Sequence, residues 1–330
     1  MTHAAIARAL ASLALVSLPA AWAGTVPASI DEGVRLVDAG RFDDARTIFS
    51  AAASTNPGSP VAPYWLGRLS LREEDWDAAI DWFEKAVRMD DASAEYHLWL
   101  GRAYGSKAQR ASVLKQPFLA KKVRAQFERA VELDGRNIEA RADLVSYYLM
   151  APAIMGGSVE KAAAQAAEIT KLDPFQGHLT YARIHGHEKK DDLVERDLLA
   201  ASAVKPDDLG PKFQLGLVYQ RAERWDDAFR MFEEIARTDK GRMSGLFQVG
   251  RTGVLSGRNL ERAAECLETY LEGTPAQGEP SLAWGRYRLG QAYEQLGRVP
   301  QARLEFEAAL RLDPKHPEAK KALAKLGRPG

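Results

Sequence analysis

Histidine, cysteine and arginine are the residue types in this chain whose spacing could support chemistry. Six histidines are present, and three of them, His178, His185 and His187, lie within ten positions. Neutral imidazole is a good zinc ligand, but a zinc site needs three or four side chains converging from fixed positions. The pair His185-Gly186-His187 leads directly into Glu188-Lys189-Lys190-Asp191-Asp192, which reads as a hydrophilic turn and predicts solvated rather than ligating imidazoles. A metal-binding protein or enzyme centred on His178, His185 and His187 is the alternative to weigh. The single cysteine, Cys266, rules out an internal disulfide and, one residue before Leu267 in a helical pattern, reads as packing. The glycines do not form a phosphate-binding loop, and no nucleophile motif occurs. The expectation is therefore no catalytic residue, no metal and no cofactor.

Arginine is more informative. Residues four apart share a helix face, and six such pairs recur: Tyr64 with Arg68, Leu98 with Arg102, Leu179 with Arg183, Phe213 with Leu217, Phe247 with Arg251, and Tyr287 with Gln291. Four of the six end in arginine. A planar guanidinium donates two parallel hydrogen bonds to a carboxylate, and an aromatic or leucine side chain one turn away adds apolar contact. An acidic segment or a free C-terminal carboxylate on a protein or peptide is the ligand this pattern suits.

The elements that must hold these pairs repeat. Residues 283–316 carry Leu289, Gly290 and Tyr293, then Ala302, Phe306 and Ala309 before Pro314. The same order returns as Leu215-Gly216, Tyr219, Ala228 and Phe232, and as Leu66-Gly67, Ala79, Phe83 and Ala86. Gly33, Ala45, Phe49, Ala52 and Pro57 make a first unit, and the period is 34 residues where nothing is inserted. Gly290 and Ala302 are small where two antiparallel helices cross, and Phe306 fills the space beside them.

Three units depart from this order. One has Leu144, Tyr148, Ala162 and Pro174 with Val145 at the glycine place; the next has Ala182, Leu198, Ala201 and Pro206 with His185 at the tyrosine place; the third has Gly250, Ala263, Leu267 and Pro275 with Gly253 there. The remaining unit, from Leu100-Gly101 and Tyr104 to Phe127 and Ala130, holds about ten extra residues between its helices. The pattern resembles the tetratricopeptide repeat. That resemblance implies an all-α, right-handed superhelical solenoid of about eight helical hairpins over residues 26–316, with a capping helix at 317–326 and insertions near 105–118 and 151–157. It also implies that first helices line a concave groove where peptides bind, although the Lys and Asn pairs of peptide-clamping members are missing.

Composition sets limits. Lys+Arg at 45 cancels Asp+Glu at 45, so no global field favours nucleic acid. Between Tyr96 and Phe127, however, there is no acidic residue, while Arg102, Lys107, Arg110, Lys115, Lys121, Lys122 and Arg124 are basic. This segment suits an acidic partner or anionic lipid head groups, a peripheral contact with envelope components. Ala151-Pro152-Ala153-Ile154-Met155-Gly156-Gly157 is an apolar stretch where a polar turn is usual. Residues 1–23 read as a secretory signal: one Arg, no acid, an apolar core and Ala21-Trp22-Ala23 before the expected cleavage. Export to the periplasm or beyond is expected, with the role of a protein-binding adaptor or assembly factor.

Overall fold

The structure, a computed structural model, describes residues 29–327; the expected signal, with its cleavage point after Ala23, lies outside them. The described residues form seventeen α-helices and one short 3-10 turn, without a strand. They fall into two compact units, one ending at Gln126 and one beginning at Phe127. The first contains α1 (Ile30–Asp38), α2 (Phe42–Thr55), α3 (Val61–Arg72), α4 (Trp76–Met89), α5 (Ala94–Arg110) and the start of α6 (Gln116–Leu133). The second takes in the rest of α6, then α7 (Ile138–Met150), α8 (Val159–Leu172), α9 (Pro174–His187), α10 (Asp191–Val204), α11 (Leu209–Arg221) and α12 (Trp225–Ala236). It ends with α13 (Arg242–Ser256), α14 (Leu260–Glu272), α15 (Leu282–Gln295), α16 (Val299–Leu312) and α17 (Pro317–Lys325). Consecutive helices pair as hairpins, seven of them α1–α2, α3–α4, α7–α8, α9–α10, α11–α12, α13–α14 and α15–α16, with α17 packed on α16; α5 is tied to the start of α6 where His97 Nδ1 lies 2.6 Å from Gln126 Oε1 and Lys122 donates to the Tyr104 hydroxyl.

Helix starts are set by short polar side chains that accept from orphan amides. Asp75, Ser93, Asn137 and Ser158 each accept a backbone N–H three residues on. Asp173 does the same for Gln176, and Pro174 then occupies the first helical position, so this proline opens α9 rather than merely closing α8. Inside most hairpins the turn passes through left-handed backbone: Gly40, Glu74, Lys189, Glu223, Gly257 and Gly297 all have φ between 56° and 75°.

What joins the two helices of a hairpin is a hole filled by a ring. A Cβ added to Gly67 would lie 2.8 Å from the Phe83 ring, and at Gly216 and Gly290 the same atom would lie 2.4 Å from Phe232 and 2.5 Å from Phe306. These three phenylalanines are fully buried. Two irregular units fill these places differently. Buried Val145 and Ala166 stand at the glycine and phenylalanine places, so the larger residue is on the first helix, whereas buried Ala182 and Leu198 keep the small-then-large order. No single hairpin could bury such a face alone, and stacking on neighbours does so.

The extra residues expected between the helices of the third hairpin lengthen the helices instead of forming a long loop. α5 has 17 residues and α6 has 18, joined by residues 111–115, against 12 and 14 in α3 and α4. At 1.5 Å per residue the arm extends roughly 6–7 Å farther. The 151–157 stretch forms the 3-10 turn Ala153–Met155, tied down where the Tyr147 hydroxyl donates to the Met155 carbonyl at 2.6 Å. Ile154 at its crest is 93% exposed.

Candidate functional site

The three grouped histidines share α9, and the structure corrects their expected place in a solvated turn. His185 is largely buried because it occupies the position that faces the partner helix. Its Nδ1 lies 2.6 Å from Oδ2 of buried Asp197, whose Oδ1 accepts from Arg196. His187 is exposed and His178 half-buried. Among the described residues no three His, Cys, Asp or Glu side chains gather as a metal site. Cys266 is buried, and desolvation pushes its thiol up to about 11, against only partial relief from the Arg262 charge. A neutral thiol is a poor nucleophile.

The first-helix pairs divide by unit. In the first unit, Tyr64 is buried and its hydroxyl donates to Glu95 Oε1 at 2.6 Å, an oxygen that also accepts from Trp99 Nε1 at 2.8 Å. Arg68 donates to the Tyr64 hydroxyl at 3.3 Å, and its guanidinium lies 4.6 Å from the Trp65 ring centre and 4.4 Å from that of Trp99. Arg102 sits 4.8 Å from the Trp99 ring. Leu98, one turn before Arg102, is 1% exposed and packs inward rather than lining a surface.

In the second unit the partners are neutral oxygen atoms. Arg183 donates to Ser146 Oγ at 3.0 Å and to the Ala142 carbonyl at 3.2 Å. Phe213 meets Phe232 edge-on at 5.7 Å, and Leu179 and Leu217 pack against the same core. Arg251 donates to Gln220 Oε1 at 2.5 Å and to Gln248 Oε1 at 3.3 Å. Gln220 is itself buried and held by a donation to Thr252 Oγ1 at 2.7 Å.

Arg251 opens onto a cleft lined by Phe247, Gly278, Glu279, Pro280, Trp284 and Arg288. Arg288 donates to Gln291 Oε1 at 2.8 Å, while its buried Nε has no partner. Neither Arg251 nor Arg288 has an ion-pair partner among the described residues, and the one carboxylate lining the cleft, Glu279, accepts from the Ala276 amide at 2.8 Å. Burial disfavours the charged form of both guanidiniums. At Arg288 the neighbouring Tyr287 and the Glu318 carboxylate oppose that shift, and the Arg251 charge adds to it. Two like charges held together over an aromatic wall form a ready receptor for an anion. The wall is braced from below, where Trp284 and Tyr287 pack 4.4 Å and 5.2 Å from the ring of His316, the residue that caps α17.

Phe247, Arg251, Tyr287 and Gln291 are thus brought to one region, and the phase reading missed Trp284, Arg288 and Gln220. Trp284 and Arg288 are also an aromatic and an arginine four apart, but the aromatic lies almost one turn before Tyr287. The longer connection over residues 273–281 separates this hairpin from the regular period.

Models of the tetratricopeptide repeat match residues 30–94 and residues 283–326. No curated protein sequence matches the chain. Among solved structures, a thermophilic tetratricopeptide-repeat protein of Thermus thermophilus is 21% identical, covering 56% of this chain and 94% of its own, with a TM-score of 0.46. A tetratricopeptide-repeat protein of Parabacteroides merdae is 14% identical over 91% of this chain and 97% of its own, with a TM-score of 0.44. PilF of Pseudomonas aeruginosa is 16% identical over 72% of this chain and 98% of its own, with a TM-score of 0.47. Likeness at this level says nothing about partners.

Proposed function

We propose, for a chain that is a tetratricopeptide-repeat protein, that it acts as an exported adaptor or assembly factor whose first helices hold a protein or peptide through a carboxylate. The fold supports a role in protein–protein interaction, and proteins built this way are generally scaffolds rather than enzymes. The observation carrying the finer reading is the pair Arg251 and Arg288: two guanidinium groups lining one cleft beside Phe247 and Trp284, with no ion-pair partner among the described residues. A partner's C-terminal carboxylate or acidic side chain would supply the counter-charge, and the aromatic wall would take the apolar group next to it. Hydrogen bonds to charged groups contribute about 1.5–3 kcal/mol each. The leader-like residues 1–23 support a periplasmic or secreted location.

The test is crosslinking in intact cells, followed by purification and mass spectrometry, for the wild type and for R251A/R288A. Partners captured by the wild type should be lost from the variant, and an unchanged partner list would sink the carboxylate reading. Export is checked separately by the N-terminal sequence of the mature protein, where Met1 in place of Gly24 would refute it.

A further inference from the structure

We infer that the tip of the α5–α6 arm is a docking surface for anionic phospholipid headgroups. Val113, Leu114 and Phe118 are 79%, 84% and 77% exposed, the largest apolar exposures in the first unit. They sit together on the short connection and the opening turn of α6, at the end of the two elongated helices. An arm that is lengthened only to present three large apolar side chains to water gains no packing from them.

The charge around the tip selects the occupant. Lys115 and Lys121 flank the apolar trio and have no carboxylate partner among the described residues. Lys107 is paired with Asp77, Arg110 lies 3.9 Å from Glu74, and Lys122 donates to the Tyr104 hydroxyl with Glu84 at 3.9 Å. Those three carboxylates come from the neighbouring hairpin and leave the five cations in excess. Apolar side chains ringed by lysine match a bilayer interface, where the rings and branches enter the headgroup boundary and ammonium groups meet phosphate. A second copy of the chain is a poorer fit, since a stable interface needs roughly 20 residues a side and the tip offers a few. No helix among the described residues is long and apolar enough to cross a membrane, so the contact is peripheral.

Flotation of the full chain with phosphatidylcholine vesicles, with and without phosphatidylglycerol, tests this. The wild type should float with the anionic vesicles only, and less so as salt is raised. K115E/K121E and L114A/F118A should each lower the bound fraction by at least about tenfold, with unchanged circular-dichroism melting because all four side chains are exposed. Every variant keeps the same N-terminus, so a retained leader cannot produce the difference. Equal binding to both vesicle types, or wild-type binding by either variant, overturns the proposal. So does light scattering that finds a dimer which L114A/F118A converts to monomer.

Discussion

Arg68 in the first unit and Arg251 in the second occupy the same place in their repeats, four residues after an aromatic, and meet different partners. Arg68 is enclosed by the faces of Trp65 and Trp99, and its hydrogen-bond acceptor, Tyr64, is tied to Glu95. Two tryptophan faces and a hydroxyl hold its guanidinium, which has no carboxylate partner among the described residues and lines a cleft with Phe42, Leu69 and Arg72. Arg251 meets side-chain amides only, lies in the field of Arg288, and faces an open cleft. The difference teaches that position in a repeat fixes where a guanidinium points, while the rings and carboxylates of adjacent helices decide whether it serves the fold or a ligand.

Removing both Arg251 and Arg288 should break the comparison most strongly if it is wrong. With two charged hydrogen-bonding groups gone, affinity for a captured partner should fall by about a hundredfold or more. The melting temperature should hold or rise, because burying two repelling, desolvated charges opposes folding. A variant that melted early while keeping its partner would reverse the assignment. Arg68→Ala should behave the other way: partner capture near wild type, and a loss of about 1–2 kcal/mol in urea denaturation from two aromatic faces left uncovered.

The repeat architecture was legible because its rule is steric and local. Gly67 with Phe83 and Gly290 with Phe306 can be read straight from spacing, since a ring on the second helix fills the place a side chain on the first would need. Val145 looks like a defect until Ala166 is read with it, so the legible unit is the pair and its summed volume. His185 was misplaced because the run of charge after it suggested a turn, whereas α9 continues to His187 and turns the ring toward Asp197. At the site, the first-helix arginines were legible in position. Their roles were not, because the plates around Arg68 include Trp99 from a different hairpin, and the approach of Arg288 to Arg251 depends on the length of the 273–281 connection. Such long-range neighbours leave no mark at fixed spacing.

The finest test converts one environment toward the other without changing any arginine. Gln220 is buried, is nearly isosteric with glutamate, and already accepts from Arg251 Nη1. Gln220→Glu places a carboxylate on Arg251, giving it the internal counter-charge that a ligand would otherwise supply. The substitution also removes the donor to Thr252 Oγ1, whose own hydroxyl donates to the Gln248 carbonyl at 2.6 Å, so part of the ion-pair gain is offset. Stability should therefore change little. Partner affinity should fall about fivefold, corresponding to roughly 1 kcal/mol of competition for the guanidinium, and the loss should be absent when the measurement is repeated on an Arg251→Ala background. If Gln220→Glu binds the partner as tightly as the wild type, Arg251 is not the group that meets the carboxylate, and Arg288 alone must do so.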